Sequence, residues 1–227
     1  MPRGRARTGP GSREFVNETA TVARTVAESP RFRWRGAVGV VVLAPAFLAT
    51  LFSTPLVPTW SWMDVLLGLA GWVAFVAGAA LRFWATLYIG GRKERDLVTD
   101  GPYSLCRNPL YVGSLLLMVA AGLLMKSLVF VAAVAAVAVV YLLTTVPVEE
   151  EYLRATHGDA FDRYRTRVPR IVPSLAAFHT PERIEVNIRT LRLECARASR
   201  WIWLPAIALG VAWLRQQPNW PTFFTLP

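Results

Sequence analysis

Long runs of apolar residues, separated by short polar connections, are the strongest constraint on how this chain can fold. The clearest run covers residues 128–148 and contains no charged side chain. About 18 or more such residues in a row are typical of a helix that crosses a membrane. The sequence therefore predicts an all-α, polytopic membrane protein with about five transmembrane helices. The predicted spans cover residues 36–56, 64–88, 109–125, 128–148 and 201–214, the last being short for a full crossing.

Composition and charge agree with a membrane location. Of 227 residues, 54% are hydrophobic and only 18% are charged, against about 25% charged in a typical soluble domain. The formal net charge of +10 would suggest nucleic-acid binding in a soluble protein. Here the basic residues flank the apolar runs, as the positive-inside rule describes. We expect a lipid bilayer as partner, no nucleic acid, and a cytoplasmic N-terminus. Cys106 and Cys195 have no metal-like spacing, so no metal site is predicted.

The chain divides into three regions. Residues 1–33 are basic and lack an apolar run, which predicts a disordered cytoplasmic tail. Residues 34–174 form the membrane core. Residues 175–227 are expected to hold an arginine-rich interfacial helix and a final apolar helix that is either tilted or re-entrant. The alternating apolar residues of 184–188 fit a strand as well as a helix.

A polar, turn-rich stretch, residues 97–113, leads into the third span. Its Asn108-Pro109 pair predicts a helix start with Asn as the capping residue. Free backbone N–H groups at such an end attract a carboxylate or phosphate, and Arg107 adds positive charge. Tyr103 and Tyr111 offer aromatic faces to a purine ring or a cation.

Three acids lie where the fourth span ends. Glu149, Glu150 and Glu151 are expected at the C-terminal end of a helix, where the helix dipole disfavours negative charge. A tight turn at 126–127 makes the third and fourth spans a hairpin, so the acids should lie beside Arg107. They either mark the membrane exit or form the cation-binding end of a pocket. A pocket with both charges matches the carboxylate, ammonium and sulfonium of S-adenosylmethionine.

Arg82 is an unusual charge inside the second span, near its cytoplasmic end. A charge at this depth needs a partner or a route to the interface. Two interpretations stay open: the side chain extends to the membrane surface, or it takes part in the site.

The motif residues resemble the isoprenylcysteine carboxyl methyltransferase and phospholipid methyltransferase family of integral membrane enzymes. The resemblance covers about residues 80–173 and rests on Leu97-Val98-Thr99-x-Gly101-x-Tyr103, then Arg107-Asn108-Pro109-x-Tyr111-x-Gly113, then Glu149-Glu150-x-x-Leu153, His157-Gly158, Phe161, Tyr164 and Val168-Pro169. It implies a cytoplasmic pocket for S-adenosylmethionine. Carried over by motif, the cofactor-binding residues are Leu97, Val98, Tyr103, Asn108, Pro109, Leu110, Tyr111 and Glu149. Arg107 and Glu150 would be the catalytic residues, with Glu150 as a candidate base.

The chain departs from the family pattern at two positions. The family usually has His at the position of Asn108, so a proton-transfer role there is lost. Where the eukaryotic enzymes carry an Arg thought to serve the acceptor, this chain has Thr145. Together with Arg82 and Trp84, Thr145 is predicted to face the acceptor substrate.

The resemblance implies S-adenosylmethionine-dependent O- or S-methylation of a hydrophobic or lipid-like acceptor. Prenylcysteine carboxylate, a phenolic lipid and a thiol are the candidates. One alternative is an NADPH-dependent membrane reductase of the sterol-reductase type, which would need more basic residues for the 2′-phosphate. Another is a non-catalytic membrane protein with a degenerate pocket. The oligomeric state is left open.

Overall fold

The computed structural model describes residues 30–55, 57–58, 60–90 and 96–223, and of residues 30–36 only the backbone. The predicted disordered tail therefore lies almost wholly outside the described residues. Residues 91–95, which connect the second span to the polar stretch, lie outside them as well. Within the described part, the secondary structure is helical and no β-strand forms, which agrees with the all-α prediction. The helices are α1 (Pro30–Leu51), α2 (Trp62–Ile89), α3 (Pro102–Leu105), α4 (Pro109–Met125), α5 (Leu128–His157), α6 (Asp159–Arg167), a 3-10 turn (Leu175–Ala177), α7 (Ile188–Trp201) and α8 (Trp203–Leu214).

Two of these helices are long and apolar enough to cross a membrane. They are α2 and α5, with mean hydropathies of 1.9 and 2.6 over their most apolar windows. The apolar part of α1 (Ala37–Leu51) and all of α4 are shorter. The boundaries of α2, α4 and α8 follow the predicted spans closely, whereas α1 ends five residues earlier and α5 ends nine residues later than predicted. A five-span arrangement stays a prediction.

Glycines let α2 and α4 pack backbone against backbone. A Cβ atom on Gly78 would lie 2.8 Å from the carbonyl oxygen of Gly113, and one on Gly71 would lie 2.8 Å from the Leu124 side chain. Neither contact leaves room for a methyl group, so small residues set the distance between the two helices. Gly113, one of the motif glycines, is thus a point of close backbone contact with α2.

The hairpin between α4 and α5 closes as predicted. Lys126 takes a left-handed conformation (φ 52°), and the Ser127 hydroxyl caps α5 by accepting from the N–H of Phe130. Lys126 also pairs with Asp64 at the start of α2. Because the turn is tight, the start of α4 lies beside the C-terminal half of α5.

The three acids do not lie at a helix end, which corrects the prediction. α5 continues through Pro147 to His157, so Glu149 to Glu151 are interior residues of the helix. Residues 149–157 are mostly good helix formers, and the helix ends only at Gly158 (φ 50°). The helix-dipole argument for these acids was therefore wrong.

The C-terminal region runs along the bundle. α7 begins beside the end of α2, where a Cβ on Gly90 would lie 3.4 Å from Thr190. One turn later, Glu194 pairs with Arg82 of α2. The segment 181–187 before α7 is irregular, so the strand interpretation of its alternating pattern was wrong. α8 follows after a single residue and ends at the buried Arg215, which donates to the carbonyls of Ser53 and Met125.

Candidate functional site

A cavity lies where the end of α2, the 97–111 stretch and the C-terminal part of α5 meet. Its wall consists of Ile89, Asp96, Leu97, Val98, Tyr103, Arg107, Asn108, Pro109, Leu110, Tyr111, Glu149, Leu153 and Tyr164. All eight residues predicted to bind cofactor are in this set, and so is Arg107. The structure thus brings them together, and cofactor binding itself stays a prediction. The cavity is narrow, about 70 Å³, but it shares Leu97 and Tyr164 with a wider neighbour of about 630 Å³.

Glu149 is fixed from across the hairpin. The Tyr111 hydroxyl donates to its Oε2 at 2.9 Å, which joins the first turn of α4 to α5. This hydrogen bond holds the carboxylate at the cavity wall, where a positively charged ligand group would meet it.

Tyr103 presents the most informative polar atom in the site. The residue is 6% exposed, and its buried hydroxyl has no hydrogen-bond partner among the described residues. Its backbone carbonyl accepts from the Tyr164 hydroxyl at 2.7 Å, which holds the segment in place. Burial, and then the charge of Glu149, raise the pKa of Tyr103 well above its usual value, so the hydroxyl stays a neutral donor. An unpaired buried hydroxyl costs about 1–3 kcal/mol, which an acceptor atom on a ligand would recover.

Glu150 lies between two guanidinium groups. Arg107 Nε is 3.1 Å from Oε1, and Arg170 Nη2 is 3.0 Å from Oε2. Arg107 also donates to the carbonyl of Arg165 at 3.0 Å. Glu150 does not line the cavity, so the geometry gives no support to its predicted role as general base. The exit-marking interpretation, in which an acid pairs with Arg107, fits Glu150, whereas the pocket interpretation fits Glu149.

Asn108 precedes Pro109 at the start of α4 as predicted, but its side chain does not cap the helix. The amide donates instead to the carbonyl of Arg170 at 3.1 Å, because the chain after α6 passes directly beside it. The Asn108 carbonyl accepts from the N–H groups of Tyr111 and Val112, both at 3.1 Å. Because Pro109 has no backbone N–H and the N–H groups of Tyr111 and Val112 are occupied, the start of α4 offers an anion fewer free backbone donors than the sequence suggested.

Residues 169–180 form a strap across the 97–111 stretch. The Arg107 N–H donates to the Pro169 carbonyl at 2.9 Å, and the Ser174 N–H donates to the Leu105 carbonyl at 3.0 Å. Further along, the N–H of Gly101 donates to the His179 carbonyl at 2.8 Å. Gly101 needs to be glycine, because its φ is +57° and a Cβ would lie 2.5 Å from the Tyr88 ring. The strap therefore holds the 97–111 stretch, which forms most of the cavity wall, in place through backbone hydrogen bonds.

The three residues predicted to face an acceptor do not line this cavity. Thr145 is buried within α5. Trp84 packs edge to face on Tyr88, whose hydroxyl bonds to the strap. Arg82 is engaged by the buried Glu194, with its Nη2 2.6 Å from Oε1.

The sequence did not predict a role for Glu194. The structure shows that its carboxylate neutralises the charge of Arg82. It is 1% exposed and also accepts from Arg197 at 3.3 Å. The structure thus gives Arg82 a partner, a buried ion pair with α7, and a role of Arg82 in the site stays a prediction. The one usable signal was an acid surrounded by arginines on an amphipathic helix.

Among the described residues, no group of three or more His, Cys, Asp or Glu side chains is placed to hold a metal ion. Cys106 is buried in the same region, and burial raises the pKa of its thiol to about 11.

Comparisons with known proteins agree on one family. A family model described as phospholipid methyltransferase matches residues 61–160. The chain is 32% identical over 197 residues to the nickel-cobalt-cadmium resistance protein NccN of Alcaligenes xylosoxydans xylosoxydans, covering 86% of this chain and 88% of that protein. It is 32% identical over 81 residues to a protein-S-isoprenylcysteine O-methyltransferase of Schizosaccharomyces pombe, covering 36% and 34%. It is 36% identical over 76 residues to a methanethiol S-methyltransferase of Crocosphaera subtropica, covering 33% and 28%. No solved structure matches significantly.

Proposed function

This chain belongs to the isoprenylcysteine carboxyl methyltransferase and phospholipid methyltransferase family, and we propose that it transfers a methyl group from S-adenosylmethionine to a hydrophobic acceptor. The observation that carries the proposal is the unpaired, buried hydroxyl of Tyr103 in a cavity that also holds Glu149. Among the acceptors expected from the sequence, we favour a small thiol over a prenylcysteine carboxylate or a phenolic lipid.

The chemistry of the cavity fits the cofactor. Glu149 offers a carboxylate to the ammonium or sulfonium, and the Tyr103 hydroxyl offers a donor to an oxygen or ring nitrogen. Apolar walls at Val98 and Leu110 suit the purine and the methyl group. NADPH, which carries several phosphates, would meet the carboxylate of Glu149 here, so the reductase alternative is disfavoured.

Room for the cofactor requires a side chain to move. Ligand sites for molecules of this size occupy roughly 300–1,000 Å³, more than the 70 Å³ of the narrow cavity. The wider neighbour lies on the other side of Leu97 and Tyr164. Tyr164 is held by its hydrogen bond to Tyr103. We therefore propose that Leu97 rotates on binding and joins the two cavities.

When bound, S-adenosylmethionine supplies an electrophilic methyl carbon. Transfer breaks the methyl–sulfur bond, forms the methyl–acceptor bond and releases S-adenosylhomocysteine, with a proton lost from a thiol or phenol. The protein contributes position and exclusion of water, which account for most of the rate in such a reaction. Because Glu150 is held by Arg107 and Arg170, an acceptor that needs no dedicated base is favoured. A carboxylate is fully ionised at neutral pH, and a cysteine-like thiol, with a pKa of ~8.5, is partly ionised. The preference for the thiol over the carboxylate therefore rests on Thr145, which stands where the eukaryotic enzymes carry an arginine for the acceptor.

Membrane topology belongs to the same proposal. We place α1, α2, α4, α5 and the α7–α8 pair as a multi-pass bundle, with the N-terminus and the cofactor cavity on the cytoplasmic side. The support is the distribution of basic residues around the apolar helices. Cysteine-accessibility labelling of single-cysteine variants in intact cells would test the orientation.

The test of cofactor binding is calorimetry with S-adenosylhomocysteine on the detergent-purified protein. We expect binding by the wild type and a roughly 10–100-fold loss in Glu149→Gln, as for one hydrogen bond to a charged group. Glu151→Gln is the matched control, because Glu151 is an exposed acid on the same helix. Equal affinity in Glu149→Gln and the wild type would remove Glu149 from the site. Binding of NADPH in place of S-adenosylhomocysteine would favour the reductase.

A role in metal resistance is the second candidate, carried by the similarity to NccN over most of both chains. The two proposals are compatible if methyl transfer serves resistance. A deletion strain should then lose tolerance to nickel, cobalt or cadmium and regain it with the wild-type gene. Complementation by Glu149→Gln would separate resistance from methyl transfer.

A further inference from the structure

A third cavity lies at the junction of α7 and α8, away from the narrow cavity of the cofactor site and its wider neighbour. It measures about 390 Å³ and is walled by Phe47 of α1, Met125 of α4, Phe130 of α5 and Leu204 of α8. Its wall is almost wholly apolar, and Arg200 is the one charged residue in it. From this combination we propose that the cavity binds one anionic phospholipid, with an acyl chain inside and the phosphate on Arg200.

Two residues that line this cavity, Arg200 and Trp201, carry donor groups with no partner among the described residues. Arg200 is exposed and makes no ion pair or hydrogen bond there, in contrast to Arg197, which bonds to Glu194. The indole N–H of Trp201 is buried and unpaired. Since burying an unpaired donor is costly, the indole is available to an ester or phosphate oxygen. An apolar chamber closed by two donors matches an anionic amphiphile.

The depth of the mouth matches a lipid headgroup. The Asp64–Lys126 and Arg82–Glu194 pairs mark two polar edges of the bundle. They are separated along α2 by about 27 Å at a rise of ~1.5 Å per residue, close to the ~30 Å thickness of a hydrocarbon core.

Trp201 lies just inside the Arg82 edge, because its ring contacts Phe83 and Phe75 at 5.9 and 6.2 Å. The Arg200 side chain is long enough to reach that edge. The cavity extends from there towards Met125, at the opposite edge. This is the direction of an acyl chain whose headgroup lies in the leaflet on the cofactor side.

The lipid proposed here has a structural role, because the deep end of its cavity lies far from the cofactor site. Tyr111 lines the cofactor cavity and Met125 lines the apolar cavity at α7 and α8. These two residues are about 21 Å apart along α4. The bound lipid instead fills the space between α8 and the rest of the bundle. Its loss should therefore lower stability, whether or not the chain transfers methyl groups.

The experiment uses the full-length protein, purified in detergent and depleted of lipid. Melting temperature and bound lipid by native mass spectrometry are measured with phosphatidylglycerol and with phosphatidylcholine of the same chains. We expect phosphatidylglycerol to bind and stabilise, and phosphatidylcholine or chain-free glycerol phosphate not to do so. Arg200→Gln should weaken phosphatidylglycerol binding about fivefold, the effect of one arginine near an anionic surface. Trp201→Phe should weaken it as well.

Arg192→Gln is the matched control, because Arg192 is exposed on the same helix and does not line the cavity. It should change the affinity less than twofold. An equal loss in both arginine variants would overturn the proposal in favour of diffuse attraction to basic surface. Equal stabilisation by phosphatidylcholine would overturn it too, because the headgroup would then not be recognised.

Discussion

Replacing Tyr103 by Phe should stabilise the empty protein and weaken cofactor binding at the same time. The hydroxyl is buried without a partner, so its removal recovers about 1–3 kcal/mol of desolvation cost. For a domain of this size, each kcal/mol moves the melting temperature by about 2–4 °C. The expected gain is therefore about 2–12 °C in the absence of ligand. Affinity for S-adenosylhomocysteine should fall about 5–150-fold, because the ligand no longer recovers the 1–3 kcal/mol that the unpaired hydroxyl costs in the empty protein.

Tyr164→Phe is the control with the opposite sign. It removes one hydroxyl from a neighbouring ring, but that hydroxyl donates to the Tyr103 carbonyl at 2.7 Å. Its loss should destabilise the protein by about 1 kcal/mol. Thermal unfolding in one detergent, with and without S-adenosylhomocysteine, measures both variants. A lower melting temperature for ligand-free Tyr103→Phe would refute the reasoning, because the hydroxyl would then have a stabilising partner.

The same two tyrosines set an alkaline limit on stability. Burial raises the pKa of Tyr103 and Tyr164 above the ordinary value of 10.0, so the folded protein keeps protons that the unfolded chain releases. Their contribution to stability is complete below pH 10 and is lost as the pH rises above it. Melting temperatures measured from pH 8 to 11 should fall less steeply in Tyr103→Phe than in the wild type.

Three further substitutions or reactions test the packing. Gly113→Ala should lower the stability of the protein by about 1–3 kcal/mol, since its Cβ would lie 2.9 Å from the Gly78 carbonyl oxygen. Gly210→Ala is the control: Gly210 has open space around it, so the thermal unfolding assay should show a slight stabilisation. Cys106 should resist maleimide at pH 8 while exposed Cys195 reacts, because a thiol of pKa about 11 is almost wholly protonated; equal labelling would contradict its burial. Glu194→Gln should cost about 3 kcal/mol by leaving a buried cation unpaired and should make α7 sensitive to trypsin; an unchanged digestion rate would contradict the ion pair.

Local chemistry predicted much of the fold. A helix start at Pro109, a tight turn at 126–127 and a long uncharged run over 128–148 each depend on neighbours in the sequence, and the structure has them where expected. The residues of the cavity wall, in contrast, could not be brought together by local chemistry alone. Val98 and Glu149 are 51 positions apart. The predicted hairpin placed the acids beside Arg107, and the family resemblance added Val98 to the same wall.

Side-chain pairings could not be predicted. Arg82 and Glu194 are separated by 112 positions, and several arginines or acids could have met either one. Asn108 has a strong capping preference, yet its amide bonds to a carbonyl of the strap. In both cases the decisive partner comes from a segment that arrives from far along the chain. The end of α5 also lies beyond the predicted span, since the helix continues through Pro147, as packing against neighbouring helices permits.

The matched region, residues 61–160, is not sufficient to build the candidate site. The strap that follows it supplies the acceptors for the N–H groups of Arg107 and Gly101, and α7 supplies the carboxylate for Arg82. Without these segments the 97–111 stretch would keep unpaired backbone donors, each costing about 1–3 kcal/mol where it stays buried, and α2 would keep an uncompensated charge. Since this stretch forms most of the wall of the cofactor cavity, the geometry of the cavity depends on residues beyond the matched region. The chain through α8 is therefore the unit in which the site has to be studied.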